Sequence, residues 1–394
     1  MNSYQKSFVA LILSALNEIP ANIPNDFDWH KALKDAERHR VSPIIYYGAF
    51  NSKNAVPKEV YDILEMSAFK SLAIDQRQLY AVTQIFEAFE KNEIDYMPLK
   101  GCLLKKLYPK TDMRVMVDAD VLVKTEQYPK IKNIMSSLGY CETKESDHEY
   151  IWDKKGFFHL ELHKRLIPSN NEDYYSYYGD GWKFAKKTGE TYRYRLSNED
   201  MFVYVFTHFA KHYRNGEIVL RNIIDLYILL KNNPDIRHSE YIRGEIEKLG
   251  LDKFYLNILD LIDVWFNDSP ENYVVDFITD NIFGENRDKS LDRFFISITV
   301  QEMQKNNSAS KAKRNKVLRS LFPKYSDMKI KYRFLKQVPI LLPFMWAVRL
   351  VDAALFRRRD VKVRMEKLKQ LDPESLNTYQ KELETVGLTF NFKE

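Results

Sequence analysis

The sequence predicts an α+β chain: a small unit with a mixed sheet, embedded in a mainly helical chain. Three observations carry that expectation. Apolar residues recur at helical spacing over residues 1–78 and again from residue 197 onward. Between these stretches, short apolar runs alternate with short helical patterns, as in a small α/β or α+β unit. The length, 394 residues, exceeds one small domain and suggests two or three units. The division that follows is a helical region at 1–78, an α/β unit at 79–196, a helical domain at 197–320 and a basic, helical C-terminal region at 321–394.

Each element has its own signal. Phe8 to Leu16 is an apolar run behind a single Lys6 and ends in Asn17-Glu18, so it reads as a helix on a core rather than a signal peptide. Trp29, Ala32, Leu33 and Ala36 share a helical face, with Asp26 and Asp28 as candidate caps. Asn51 to Pro57 is polar and proline-bearing, hence a loop. Residues 72–91 read as another helix. Asp95 to Leu99 is a short apolar run leading into Lys100-Gly101. Residues 102–108 are helical in pattern, Lys110 to Met113 a turn, and Met116 to Val123 a strand. Pro129 to Leu138 reads as a helix and Glu142 to Glu149 as a loop. Strands are expected at 150–152, 157–162 and 191–196. Ser197 and Asp200 fit the start of a helix reaching about Tyr213, followed by helices at 217–231 and 241–249. Helices continue to the C-terminus, broken near Asn306–Ser310 and at Pro323. Val338 to Phe356 is apolar enough to approach a membrane span, but it contains Arg349, Asp352, Pro339 and Pro343. It is therefore expected to be a buried or surface-lying helix, and no transmembrane segment is expected.

Composition narrows the class. Hydrophobic residues at 45% and charged residues at 29% are globular values. Two cysteines cannot form a disulfide framework, which points to a reducing, cytoplasmic setting. The net charge of +5 conceals an asymmetry: residues 305–369 hold 19 Lys and Arg against 4 Asp and Glu, and the rest of the chain is acidic.

The chemistry concentrates in Val117-Asp118-Ala119-Asp120-Val121. Residues two apart on a strand share a face, so both carboxylates emerge together. Adjacent carboxylates repel, and a fold that keeps both ionised supplies a cation. Hard oxygen ligands of this kind suit Mg2+, which also binds substrate phosphates. An Asp-x-Asp triplet in a solvated loop would mean little; this one lies in an apolar strand, where charge is costly without a partner. Glu161 repeats the setting, between Leu160 and Leu162. If its strand lies beside the first, three acids can hold two Mg2+ ions, and one can take a proton from an attacking hydroxyl. Alone, Glu161 would read as an exposed residue on an edge strand. Asp118, Asp120 and Glu161 are thus the candidate catalytic and metal-binding set.

Upstream, Leu99-Lys100-Gly101-Cys102 joins a strand to a helix. Glycine permits close backbone approach and a helix N-terminus favours phosphate. Lys100, Gly101 and Arg114 are the candidates for holding a triphosphate, although each cation reads equally as a surface residue. His208 and His212 stand one helical turn apart; with no third zinc ligand in view they read as core or substrate-facing. Arg221 and Asp225, at i and i+4, read as a helix pair or as the frame of a nucleotide. Cys102 and Cys141 lack zinc spacing. The basic C-terminal stretch, including Arg357-Arg358-Arg359, is a candidate surface for an anionic partner, nucleic acid or membrane, with a solvated helix face as the plain alternative.

Together these residues resemble the DNA polymerase β-type nucleotidyltransferase superfamily, and within it the uncharacterised nucleotidyltransferase family found in bacteria. The family pattern of an L-K-G turn, a Y-P pair, an Arg, a D-x-D strand and a later acid-x-His strand has its counterparts in Leu99-Lys100-Gly101, Tyr108-Pro109, Arg114, Asp118/Asp120 and Glu161-Leu162-His163. Trp29 with His39-Arg-Val-Ser-Pro43 is similar to the family's N-terminal helical pair. His208, His212, Arg221 and Asp225 are similar to its later helical segment, and Phe322-Pro323 and Val338 to Arg349 to its C-terminal region. The resemblance implies that the α/β unit is a nucleotidyltransferase core using an NTP and Mg2+ (or Mn2+). Such an enzyme moves an NMP to an acceptor hydroxyl on RNA, protein or a small molecule and releases pyrophosphate. It also makes His163, His208, Arg221 and Asp225 candidate substrate-facing residues. Two departures stand out: Gly101-Cys102 replaces the usual Gly-Ser and lies further from Asp118, and the third acid is Glu rather than Asp. They leave open a catalytically impaired nucleotide-binding or docking module on the same fold.

Overall fold

A computed structural model describes residues 1–52, 56–155, 159–284, 332–356 and 373–389, with a scattered few within 296–329 and Lys362. Five expectations therefore lie wholly or partly outside the described residues: the Asn51–Pro57 loop, the start of the 157–162 strand, the break near Asn306–Ser310, Arg357-Arg358-Arg359, and the run of helices to the C-terminus.

The N-terminal apolar run is helix α1 (Ser3–Asn17), with Phe8, Leu11, Ile12 and Ala15 fully buried. Helix α2 (Trp29–Arg38) is capped by Asp28, whose carboxylate accepts the Lys31 amide; Asp26 takes no part. Helix α3 (Ser42–Asn51) packs against α1. Helix α4 is a single element of 34 residues, Lys58–Lys91, where the sequence suggested an interruption before residue 72. At 1.5 Å per residue it is about 50 Å long. Its first half gives Val60, Leu64 and Ala68 to the helical core, and its second half lays Ala81, Ile85 and Phe89 under the sheet. The break was not needed because the buried stripe merely shifts from one core to the other.

The sheet contains strands β1 (Tyr96–Pro98), β2 (Asp118–Val123), β3 (Cys141–Glu145), β4 (Glu149–Asp153) and β5 (His159–His163), in the order β1-β2-β5-β4-β3. Strands β2 and β5 run parallel, with Asp120 opposite Glu161; the other pairings are antiparallel. Helix α5 (Gly101–Leu104) follows β1, and helix α6 (Tyr128–Ser137) follows β2. Ala119, Val121, Leu160 and Leu162 point to the back of the sheet, onto α4 and α6.

Three strand expectations are corrected. Residues 141–145, within the region read largely as a loop, form an edge strand: its exposed, polar side chains lack the alternation that marks a half-buried strand. Strand β2 opens at Asp118 rather than Met116, because the Met116 carbonyl accepts from Gln78 Nε2 instead of joining the ladder. Of 191–196 only β7 (Tyr194–Arg195) is a strand, and it pairs with β6 (Lys186–Lys187) in a separate ribbon.

Helix α7 (Glu172–Tyr178) leads to the second helical layer: α8 (Asn198–Arg214), α9 (Leu220–Asn232), α10 (Glu240–Lys248), α11 (Asp252–Phe266) and α12 (Tyr273–Phe283). Ser197 caps α8 as expected, accepting the Asp200 amide. These helices share one apolar core with α1 to α3 and the front of β2, so the sheet unit is gripped from both sides of the sequence. Helices α13 (Leu342–Phe356) and α14 (Pro373–Val386) follow. Among the described residues no helix is long and apolar enough to cross a membrane.

Candidate active site

Front-facing residues of β2 and β5 form the floor of a cavity of about 600 Å3. Asp118, Asp120, Glu161 and His163 line it, roofed by His208, Lys211 and His212 of α8 and Arg221 and Asp225 of α9. The strand pairing delivers what the Asp-x-Asp pattern only made possible: Glu161 lies beside Asp120.

Asp120 is the centre of the polar network. Its Oδ1 accepts from Lys100 Nζ at 2.9 Å and from His163 Nε2 at 2.7 Å. His163 Nδ1 meets His148 Nε2 at 3.0 Å, and the outer His148 Nδ1 is buried with no hydrogen-bond partner among the described residues. Burial alone would raise the Asp120 carboxyl, but the Lys100 ammonium and His163 outweigh it and hold it well below the usual range. Glu161 moves the other way, pushed up to about 8 by burial and by the neighbouring charges of Asp120, Glu149 and Asp118. His148 is held well below the ordinary histidine range by burial and by the neighbouring His163 and Lys100. The floor thus crowds more carboxylates than its cations neutralise. Asp120, Glu161 and His163 each offer one ligand atom, all within 4.8 Å of one another, a donor set that fits a divalent cation. His148, Glu149 and His163 form a second such group.

Lys100 reaches Asp120 from an unusual backbone position, φ +37°, where a side chain is strained by about 1–3 kcal/mol. The next residue must be glycine for a different reason. A Cβ on Gly101 would lie 2.9 Å from Arg114 Nη1 and 3.0 Å from the Met116 side chain. Arg114 itself is buried and bidentate on Asp225, with Nε and Nη2 at 2.8 and 2.9 Å, and Tyr108 Oη donates to the same carboxylate at 2.7 Å. Two motif positions, Tyr108 and Arg114, thus converge on Asp225, which lies 117 and 111 residues further along the chain. Arg221 and Asp225 are therefore not the helix pair their spacing allowed. Arg221 instead donates Nη1 to the Val115 carbonyl at 2.9 Å, and its Nε is buried without a partner among the described residues.

Residues the sequence reading missed complete the walls. Lys211 of α8 makes no ammonium hydrogen bond or ion pair among the described residues, and burial beside Lys100 lowers it to about 8. It sits three residues after His208 on the same helical face, a spacing that would have flagged it. His148 and Glu149 were hidden in the presumed loop. Arg38 and Arg40 reach the cavity from the end of α2, Arg38 held by Asp35 at 2.8 Å. His208 and His212 face each other, Nε2 to Nε2, at 3.2 Å, and His212 Nδ1 meets Glu217 at 2.5 Å. Burial lowers both imidazoles. Cys102 turns away into the back core, its thiol pushed up to about 12 by burial and by Asp120.

The cleft thus sets a floor of carboxylates on a small mixed sheet beneath Lys211 and Arg221 of the roofing helices. The sequence profile of the uncharacterised nucleotidyltransferase family matches residues 25–267, and the chain belongs to that family, whose general activity is nucleotidyl transfer. No curated protein matches the chain. Among solved structures, the antibiotic-resistance factor ANT(2'')-Ia is similar at 12% identity over 50% of this chain and 100% of that one, with a TM-score of 0.33.

Proposed function

We propose that the chain transfers an NMP from an NTP to an acceptor hydroxyl. The acceptor oxygen attacks the α-phosphorus in line, the bond from that phosphorus to the β-bridging oxygen breaks, and pyrophosphate leaves. The observation that supports this reading most is the parallel pairing of β2 with β5, which sets Asp118, Asp120 and Glu161 on one cavity floor in a chain of this family. Asp118, Asp120 and Glu161, with His163 beside them, would hold two Mg2+ or Mn2+ ions, which when bound supply Lewis-acid stabilisation of the phosphate charge.

The remaining work falls to side chains. His163 and Lys100 fix the Asp120 carboxylate in one orientation and keep it ionised. Glu161, the most basic carboxyl of the floor, would take the hydroxyl proton once bound cations keep it ionised. Gly101 opens the turn to the triphosphate, beside Lys100 and Arg114. Because those two cations already answer carboxylates, Lys211 and Arg221 carry the charge left over for phosphate. His208 and Asp225 shape the nucleotide side of the roof.

Incubation of the protein with each α-labelled NTP, Mg2+ and a cell extract tests the reading, and the labelled product class, RNA, protein or small molecule, identifies the acceptor. Asp118→Asn with Asp120→Asn is expected to abolish label; label that persists refutes the assignment. Cys102 favours a second reading. Its thiol faces the back core and cannot replace a phosphate-binding serine, as a catalytically impaired nucleotide-binding module would allow. Magnesium-dependent NTP binding with no labelled product would select that reading.

A further inference from the structure

The basic C-terminal region is the sequence feature that the transferase reading leaves unused. It contains helix α13, which is apolar on nearly all sides. One side is accounted for. Leu342, Met345 and Trp346 turn inward onto a small separate core with Met328 and Leu335, and Trp346 Nε1 donates to the Pro323 carbonyl at 3.0 Å.

The opposite side is a stripe in water. Phe344, Val348, Val351 and Leu355 are spaced by four, three and four residues, so they fall on a single helical line. Phe344 is 64% exposed, Val351 56% and Leu355 67%, and Ile340 just before the helix is 84% exposed. A soluble face normally carries polar groups at these positions, and a continuous apolar face in water marks a surface that docks on something. With 15 residues the helix is about 22 Å long, too short to span a bilayer.

Charge decides the occupant. Residues 305–369 carry 19 basic and 4 acidic side chains, and basic residues flank the helix on both sides in sequence, from Lys324 to Lys336 and from Arg357 to Lys369. Lys324 and Lys336 are exposed. Nucleic acid would use the cations but has no use for an aliphatic stripe. A second copy of this chain docking through the same stripe would bring the same positive charge to the contact. An anionic lipid surface uses both features at once, the stripe entering the acyl boundary while the flanking lysines and arginines meet the headgroups.

We propose that α13 docks this protein in the plane of an anionic membrane through Phe344, Val348, Val351 and Leu355. The test is flotation of the full chain with vesicles of phosphatidylcholine alone and of phosphatidylcholine mixed with phosphatidylglycerol. Binding is expected only to the mixed vesicles, weakening with salt. Phe344→Asp with Val351→Asp should weaken it more than about tenfold, with the thermal unfolding midpoint unchanged because both side chains are exposed. Lys324→Gln with Lys336→Gln should bind more weakly and show a shallower salt dependence. Absence of flotation overturns the proposal, as does binding that the aspartates leave intact. Self-association abolished by the aspartates without vesicle binding would assign the stripe to a second copy. Duplex or RNA binding indifferent to the aspartates, without flotation, would assign the region to nucleic acid. The outcome does not depend on whether the active site is competent, so its failure and that of the transferase reading are separable.

Discussion

Arg114 and Asp225 offer the sharpest quantitative test of how this site is held together. The two side chains are almost wholly buried, joined by hydrogen bonds of 2.8 and 2.9 Å, and Tyr108 adds a third contact to the same carboxylate. Asp225→Leu removes the counter-charge and leaves a buried guanidinium uncompensated, a loss of about 3–5 kcal/mol. Arg114→Met leaves the carboxylate stranded and should cost a similar amount. The double variant Arg114→Met with Asp225→Leu buries neither charge. Its main penalty is the orphaned Tyr108 hydroxyl, about 1–3 kcal/mol, so it should be more stable than either single variant. The coupling energy in a double-mutant cycle should then be at least about 3 kcal/mol. Urea unfolding at neutral pH, followed by tryptophan fluorescence and circular dichroism, measures all four corners. If the single losses add, or if Asp225→Leu costs less than about 1 kcal/mol, the pair is not the clamp that ties α9 to the floor.

Two further outcomes follow from the same geometry. Lys211 titrates near 8, its ammonium disfavoured first by burial and then by Lys100. Pyrophosphate affinity, measured by calorimetry without metal, should therefore fall as pH rises from 7 to 9, and Lys211→Arg should remove that fall. Between 8 and the ordinary lysine value the unfolded chain binds more protons at this position than the native one, so this residue contributes stability that rises with pH over that window. An affinity flat in pH would show that Lys211 does not meet the anion. Gly101→Ala forces a methyl to 2.9 Å from Arg114 Nη1, an atom whose guanidinium Asp225 already clamps. It should lower stability by about 1–3 kcal/mol and weaken NTP binding, and an unchanged urea midpoint would contradict the tight approach.

Much of the scaffold was legible because its signals are local. The capping residues Asp28 and Ser197 acted at the positions where they were read. The Asp-x-Asp pattern and Glu161 within Leu-Glu-Leu carried their facing directly, since alternation along a pleated strand is fixed by the backbone itself. Strand β3 was not legible: an exposed edge strand with polar side chains has the composition of a loop, and only its pairing with β4 defines it. The length of α4 was obscured because its buried face changes partner midway.

The sequence by itself determined which acids share a face, where the glycine turn falls, and that the C-terminal region is basic. Tertiary structure alone decided that β5 lies parallel to β2 with Glu161 opposite Asp120, that Lys100 is tied to Asp120, and that Arg114 is tied to Asp225, 111 residues away. It also brought Lys211 and Arg221, which have no carboxylate partner among the described residues, to the walls of the same cavity. The reason is one of range. Alternation and capping are settled by bonds within a few residues, whereas an ion pair depends on which distant side chain packing delivers to within 4 Å, and no spacing along the chain encodes that meeting.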